Sequence, residues 1–227
     1  MIELLCGDSV KLIDGVIEKY KNRNIILVSD VPFNIGYHYK SYKDKLTDSE
    51  YLEMLKSVFG RAFPFVLIHY PEPLYKISAY LNKVPSRVCS WVYNSNTRRQ
   101  HRDVAFFGVT PDFSKVSQEY KNLNDKRIIK RINEGKKCKL YDWWNINQVK
   151  NVSKEKTPHP CQMPVEVMKN IIALLPDDSL IIDPFMGSGT TGVAAIALGY
   201  DFVGIELDKD YFEIATERLI NRGETSA

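Results

Sequence analysis

The run Asp-Pro-Phe-Met-Gly-Ser-Gly-Thr-Thr at positions 183–191 leaves this chain little choice of architecture. Apolar residues at 180–182 lead into an acid, and the glycines at 187 and 189 then let the backbone bend sharply and come close to a ligand. Ala194, Ala195, Ala197 and Leu198 favour helix, and Gly199 supplies a left-handed stop before an apolar stretch over 202–206. The segment reads as strand, loop, helix, strand. A helix that starts directly after a glycine loop presents unpaired amide N–H groups, so the pocket at its start suits a small anionic group.

The rest of the chain repeats this alternation. Short apolar runs predict strands over 24–29, 64–69, 87–93, 104–107, 179–183 and 202–206, and longer periodic runs predict helices over 48–61, 72–82, 164–175, 190–198 and 209–221. In the last helix Tyr211, Ala215 and Leu219 recur every four residues, Phe212 and Ile214 widen the apolar face, and Asp208 can cap the start. Strands alternating with helices imply an α/β fold, with helices on both faces of a mostly parallel, Rossmann-like sheet. At 227 residues, with 44% apolar and 26% charged residues, the composition is that of one globular domain. It excludes disorder, a collagen-like repeat and a coiled coil as the main architecture. Residues 110–158 break the pattern, being polar, basic and rich in Asn, with Val116, Tyr120 and Leu123 hinting at one helix. They read as an insertion within a single domain spanning 1–227.

Two ligands compete for the glycine loop. Gly187, Gly189 and Gly192 satisfy Gly-x-Gly-x-x-Gly, and Glu206 ends the next strand, where a dinucleotide fold places its ribose-binding acid. On that basis alone the chain is a candidate nicotinamide-dependent oxidoreductase. A dinucleotide fold, however, opens with this unit and continues with further strands, whereas here the unit stands last in the order of strands.

Taken together, the motifs resemble those of the S-adenosylmethionine-dependent DNA amino-methyltransferases, in the circularly permuted beta class where the catalytic tetrapeptide precedes the cofactor motif. The block at 183–191 is similar to that family's signature Asp-Pro-Phe-x-Gly-Ser-Gly-Thr-Thr. Gly204-Ile205-Glu206-Leu207-Asp208, followed by the run over 211–219, looks like the family's ending. His159-Pro160-Cys161-Gln162-Met163-Pro164 resembles its His-Pro-Thr-Gln-Lys-Pro element, departing at Cys161 and Met163, and Gly7-Asp8-Ser9 fits its opening. Asp30-Val31-Pro32-Phe33 stands where the tetrapeptide Asp-Pro-Pro-Tyr belongs, with two of the four positions changed. The resemblance covers about residues 1–110 and 140–222. It implies a class I methyltransferase fold, S-adenosyl-L-methionine as cofactor, and methyl transfer to a base in DNA at short specific sites. An acid at position 30, where cytosine-N4 relatives carry Ser, favours the N6 of adenine.

Chemistry explains why such residues are needed. The exocyclic amine of adenine or cytosine has its lone pair delocalised into the ring, and it becomes a nucleophile when acceptors draw its hydrogens out of plane. The resemblance assigns one N–H to the carboxylate of Asp30 and the other to the carbonyl of Val31, with the methyl group in line with the sulfonium. Val31 gives up the fixed φ of a proline, Pro32 keeps one, and Phe33 keeps the ring on which a flipped base stacks. By the same resemblance the amides near Gly187, Ser188 and Gly189 and the hydroxyls of Thr190 and Thr191 face the methionyl carboxylate. Asp183 lies near the ammonium, Phe185 completes the cofactor block, and Glu206 accepts the ribose hydroxyls. Asp8 helps to hold the adenine end, and His159 with Gln162 closes the methionine end.

The formal net charge of +3 hides an uneven distribution, because residues 115–139 carry nine Lys or Arg against three acids. Arg98, Arg99 and Arg102, followed by Lys126, Arg127, Lys130, Arg131, Lys136 and Lys137, fall where the family carries its target-recognition region. The resemblance makes them candidates for phosphate contact, their plain alternative being a solvated face. Trp91, Trp143 and Trp144 read as core or interface anchors. The four cysteines and four histidines are scattered, so neither a disulfide framework nor a metal site is signalled. No stretch approaches the roughly 18 apolar residues of a membrane span, the first residues do not resemble a signal peptide, and a cytoplasmic location is expected. The implied partners are DNA, a second copy in a homodimer, and a cognate restriction enzyme. Transfer to N4 of cytosine, transfer to RNA, and a non-catalytic DNA-binding relative that still binds the cofactor remain open alternatives.

Overall fold

The computed structural model describes residues 1–37, 42 and 44–224. Each strand predicted from an apolar run forms, as do the five predicted helices, within a few residues at their ends. The first half runs β1 (Ile2–Cys6), α1 (Ser9–Lys19), β2 (Asn24–Asp30), α2 (Asp48–Phe59), β3 (Phe65–His69) and α3 (Pro71–Leu81). The middle comprises β4 (Arg87–Val92), β5 (His101–Phe107), β6 (Ser117–Gln118), α4 (Lys126–Asn133), β7 (Cys138–Lys139) and β8 (Trp143–Asn145). The chain closes with α5 (Val165–Ala173), β9 (Ser179–Asp183), α6 (Thr190–Ala197), β10 (Asp201–Glu206) and α7 (Lys209–Glu224).

Among the described residues eight strands form one sheet in the order β1-β10-β9-β2-β3-β5-β4-β8. The strands from β1 to β3 are parallel, β5 is antiparallel to both of its neighbours, and β8 returns parallel to β4. Successive side chains of a strand point to opposite faces, which sorts the core into two layers. Ile25 and Leu27 of β2, with Leu180 and Ile182 of β9, pack on α1, α2 and α3 through residues such as Ile13, Leu55 and Ile77. Ile26, Val28 and Ile181 face the other way, onto α5, α6 and α7 through Ile171, Ala194 and Leu219. The result is a mostly parallel α/β sheet with helices on both faces, as the alternation predicts.

Local chemistry sets the helix starts. Thr47 and Glu50 form a capping box at α2, and the Asp208 carboxylate accepts the amides of Asp210 and Tyr211 to start α7. Gly199 adopts φ +78 after α6, the left-handed stop expected of it.

The segment 110–158 departs from its predicted form in two ways. Val116 and Tyr120 lie outside any helix, flanking the short strand β6, and the helix of this region is α4, which starts at the cap Asp125 and buries no residue. The segment is also woven into the sheet: β8 adds the edge strand beside β4, with Trp144 buried and Trp143 exposed. The indole Nε1 of buried Trp91 donates to the Ile146 carbonyl at 2.7 Å, tying the segment to the core. No helix among the described residues is long and apolar enough to cross a membrane.

The strand order creates the site. From β9 the chain crosses through α6 to β10 on one side, and from β2 it crosses through α2 to β3 on the other. Adjacent strands whose connections leave in opposite directions open a crevice at their carboxyl ends, the usual ligand position in such sheets. Asp183 ends β9 and Asp30 ends β2.

Candidate active site

A cavity of about 350 Å³ occupies this crevice. It brings together segments far apart in sequence: the 30–33 tetrapeptide, Asp8, His159 with Gln162, the 183–191 loop and Glu206 all line it.

The acids differ sharply in their partners. Asp183 Oδ1 accepts the Ser29 hydroxyl at 2.7 Å and the Phe185 amide at 3.0 Å, and Oδ2 accepts the Thr191 hydroxyl. Burial still pushes its carboxyl up to about 6, those hydrogen bonds opposing the shift. Glu206 accepts the Gly187 amide and the Asp208 amide, both at 2.8 Å, and burial raises its carboxyl too. Asp30 is held least. Its Oδ2 lies 3.5 Å from Arg102 Nη1, and its Oδ1 is buried with no hydrogen-bond partner among the described residues. Burial pushes the Asp30 carboxyl up to about 7, with Arg102 pulling it down and Asp183 pushing it further up.

The tetrapeptide is braced from the α2 side. The Tyr51 hydroxyl donates to the Pro32 carbonyl at 2.7 Å and lies 3.0 Å from His69 Nε2. His69 Nδ1 accepts the Tyr70 amide at 2.7 Å, so Nε2 carries the proton and donates to Tyr51. Burial, with Arg102 and Arg99 in the same sense, lowers His69 to about 3 and keeps it neutral. Beyond Phe33, the Asp44 carboxylate accepts the amides of Asn34, Ile35 and Tyr37, and Asn34, at φ +55, exchanges two side-chain bonds with the Leu46 backbone. Sequence reading passed over Tyr51, His69 and Asp44. Each acts across a gap of ten residues or more or on a loop with no motif, and the one signal was His69, a polar residue at the end of the apolar run 65–68.

The loop at 183–191 corrects three expectations. Gly189 does not line the cavity: its amide donates to the Met186 carbonyl at 2.8 Å, and a Cβ would meet Leu219 and Ala215 of α7 at 3.1 and 3.2 Å. Its glycine serves helix packing, as does Gly192, where a Cβ would lie 2.7 Å from Phe202. The Gly187 amide is used on Glu206. The threonine hydroxyls are engaged as well, Thr191 donating to Asp183 and Thr190 accepting Arg218 Nη1 at 3.0 Å. Arg218 also reaches the Ser188 carbonyl at 3.0 Å, which places a cation from α7 behind the loop. That cation went unnoticed in the sequence because it lies in the periodic run of a helix.

On the opposite wall His159 packs edge-on against Tyr211, 4.3 Å between centroids, and Gly187 makes room for it, since a Cβ there would lie 3.1 Å from Nε2. Burial lowers His159 to about 4, with Lys156 acting in the same sense, and its Nδ1 is buried with no partner among the described residues. Gln162 lines the cavity but spends its amide within its own segment, accepting from Thr157 and donating to the Glu155 carbonyl. Asp8 caps α1 through the Val10 amide at 3.0 Å while also lining the cavity.

The basic residues separate into two groups. Arg98, Arg99, Lys126, Arg127, Lys130, Arg131, Lys136 and Lys137 are exposed, as phosphate contacts require. Arg102 is not one of them. Its side chain is 13% exposed, turned inward from β5 beside Asp30, with its guanidinium over the rings of Phe33 and Trp91 at 4.5 and 5.1 Å. The reason is register: Arg102 pairs with Trp91 across β4 and β5, on the face that carries Val104 and Phe106.

The N6/N4 DNA methylase family profile matches residues 72–217. The chain is 26% identical over 242 residues to the type II methyltransferase M.HpaI of Haemophilus parainfluenzae, covering 95% of this chain and 73% of that protein. It is 40% identical over 113 residues to the type II methyltransferase M2.DpnII of Streptococcus pneumoniae, covering 49% of this chain and 40% of that protein. Among solved structures, the M1.HpyAVI–SAM complex superposes with a TM-score of 0.62 at 22% identity, covering 96% of this chain and all of that one.

Proposed function

The chain belongs to the DNA methylase family and is an S-adenosylmethionine-dependent DNA methyltransferase, and from this premise we propose that it methylates the N6 of adenine at short specific sites, in the beta-class motif order. The observation that carries this reading is Asp30 Oδ1, a buried acceptor with no partner among the described residues, in the wall of the same cavity as the glycine loop. A buried oxygen left unsatisfied costs about 1–3 kcal/mol, so it marks a group kept for a ligand donor. An exocyclic N–H is such a donor. In this reading Asp30 accepts one hydrogen of the amine, the Val31 carbonyl accepts the other, Pro32 is held by Tyr51, and Phe33 supplies a ring for the base.

The remaining lining fits the cofactor. Glu206 at the end of β10 suits ribose hydroxyls, and the first amides of α6, unpaired within their helix, with Ser188 and the Thr190 hydroxyl, suit an anionic end, while the Thr191 hydroxyl is committed to Asp183. His159 Nδ1 is an orphaned buried acceptor or donor at the methionine end, closed by Gln162. Asp183, Phe185 and Gly187 shape this wall, Gly189 supports it from behind by letting α7 approach, and Asp8 borders the adenine end. Bound there, S-adenosylmethionine supplies an electrophilic methyl group on a sulfonium. The chain's own residues orient the amine, exclude water and accept its hydrogens.

Further assignments follow from the same premise. The exposed cations from Arg98 to Lys137 hold DNA phosphates, residues 110–158 form a target-recognition region within one domain, and the protein works as a cytoplasmic homodimer beside a cognate restriction enzyme. The deciding experiment incubates the protein with methyl-labelled S-adenosylmethionine and mixed-sequence unmethylated DNA, digests to nucleosides and identifies the labelled base by mass spectrometry. Label in N6-methyladenine that disappears with Asp30→Ala is the expected result. Label in N4-methylcytosine overturns the base, and absence of label despite cofactor binding overturns the activity.

A further inference from the structure

The reading of Asp30 to Phe33 as a base site leaves one feature of that site unaccounted for: the ring of Phe33, which lines the open cavity, already has close neighbours. Phe33 is bracketed from both sides of the sheet. His69, on the side of Phe65 and Leu67, lies 4.6 Å away with its ring inclined by 33°. Arg102, on the side of Val104 and Phe106, holds its guanidinium carbon 4.5 Å over the same ring. A base that stacks over the part of the ring either neighbour covers has to displace that neighbour.

The two neighbours are held very differently. His69 is bonded at both ring nitrogens, to Tyr51 and to Tyr70. Arg102 Nε is buried with no partner among the described residues, Nη1 reaches the sulfur of Met163 at 3.3 Å, a weak acceptor, and the Asp30 contact is long at 3.5 Å. Charge-assisted hydrogen bonds run at about 2.7–2.9 Å. The cation is kept by aromatic rings, those of Phe33, Trp91, Tyr70 and Tyr93 at 4.5, 5.1, 5.7 and 6.0 Å, and by the hydroxyl of Tyr93, a neutral partner. The other charged or titratable groups around the pair are Asp183, His69, Tyr51, Tyr70, Tyr93 and Arg99, the last lying over Tyr70.

The shape of this occupant is informative. A guanidinium is flat and delocalised and carries NH₂ groups on its edge. Here its carbon lies 4.5 Å from the centre of the Phe33 ring and its Nη1 3.5 Å from Asp30 Oδ2, so it stands beside the same ring and the same carboxylate proposed to hold an aminated base. We propose that Arg102 is an internal stand-in for the target base, filling the stacking site in the absence of DNA, and that a flipped base enters by exchanging with it. The proposal rests on the reading of Asp30 to Phe33 as the base site. Arg99 shares the Tyr70 ring with Arg102 and is exposed, so a DNA phosphate is the natural counter-ion for the released cation.

The test titrates deoxyadenosine and deoxycytidine into wild-type protein and Arg102→Met, each saturated with S-adenosylhomocysteine, by calorimetry from pH 6 to 9. Methionine keeps the bulk among the rings and loses the charge and the N–H edge. Removing an internal competitor raises the competent fraction, so the variant should bind the nucleoside about tenfold tighter at the alkaline end. The acid limb of its binding should also move to higher pH, because the cation that holds Asp30 ionised is gone, a change that loss of packing alone does not produce. Equal or weaker nucleoside binding by the variant, with S-adenosylhomocysteine affinity intact, overturns the exchange while leaving the methyltransferase reading in place. Failure of wild-type protein to bind S-adenosylhomocysteine overturns that reading, and this one with it. Should the variant not fold, a crystal structure of the wild-type protein with both ligands decides: the guanidinium still over Phe33 beside a bound base refutes exchange, and a displaced guanidinium supports it.

Discussion

Replacing Asp30 by Asn keeps the volume of the side chain and removes its charge, and the sign of the effect on stability follows from the site. Burial raises the Asp30 carboxyl from 3.8 to about 7 in the folded protein. Below pH 3.8 both states hold the proton and the residue costs nothing. Between the two values the unfolded chain releases the proton and the folded chain keeps it, so stability falls as pH rises, and the full cost is reached above pH 7. At about 1.4 kcal/mol per pKa unit, the carboxyl costs the wild-type fold about 4 kcal/mol at pH 8, of which about 2 kcal/mol accrues between pH 5.5 and 8. Urea unfolding of both proteins at these two pH values reads that increment directly, since the penalty of leaving Arg102 without its counter-charge is common to both conditions and cancels. The expected outcome is that Asp30→Asn loses about 2 kcal/mol less than wild type over this interval, while losing methyl transfer. Equal losses in the two proteins would refute the argument that Asp30 is a desolvated carboxylate.

Methyl transfer followed as kcat/KM for DNA should fall as pH drops through about 7, since the raised Asp30 carboxyl accepts an N–H only when ionised; a profile flat to pH 5.5 contradicts that role. Tyr51→Phe removes the bond to the Pro32 carbonyl and should cost about 1–2 kcal/mol in urea unfolding and lower kcat, with S-adenosylhomocysteine affinity unchanged in calorimetry. Gly187→Ala forces a side chain onto φ +53 and against His159, and should weaken S-adenosylhomocysteine binding about tenfold. Replacing Lys130, Arg131, Lys136 and Lys137 by Ala should reduce the slope of log affinity for DNA against log salt by about 0.9 for each residue that meets a phosphate. An unchanged slope removes that face from the DNA contact.

What the sequence disclosed and what it withheld divide by range. The 183–191 block was legible because its conformation is settled by neighbours: an apolar strand, glycines that tolerate positive φ, and alanines that favour helix. The same local reading misassigned Gly189, because a glycine needed for close approach of α7 looks like a glycine needed for a ligand. Arg102 was misread for a stronger reason. Its neighbours in sequence, Arg98 and Arg99, are exposed, and only the antiparallel register that sets it opposite Trp91 turns it inward. In the basic segment, Val116 and Tyr120 have helical spacing, yet β6 forms there by pairing with β7, while α4 takes its start from Asp125 and needs no buried face. Tertiary pairing overrode spacing in both cases.

The three cavity acids rank by how fully the fold satisfies them, and that ranking separates frame from function. Asp183 receives two hydroxyls and an amide, so its charge is spent on joining β2, through Ser29, to the loop that starts α6. Glu206 receives two amides, which aim its carboxylate while leaving oxygen lone pairs for a ligand's hydroxyls. Asp30 receives no hydrogen bond within normal length, only a cation at 3.5 Å held loosely among aromatic rings. A fold that supplied amides to Asp30 as it does to Glu206 would lower its cost and also occupy the oxygen on which an incoming amine depends. The least satisfied acid therefore stands where the chain can afford a ligand and not a partner, at the carboxyl end of the strand from which the sheet's connections reverse direction.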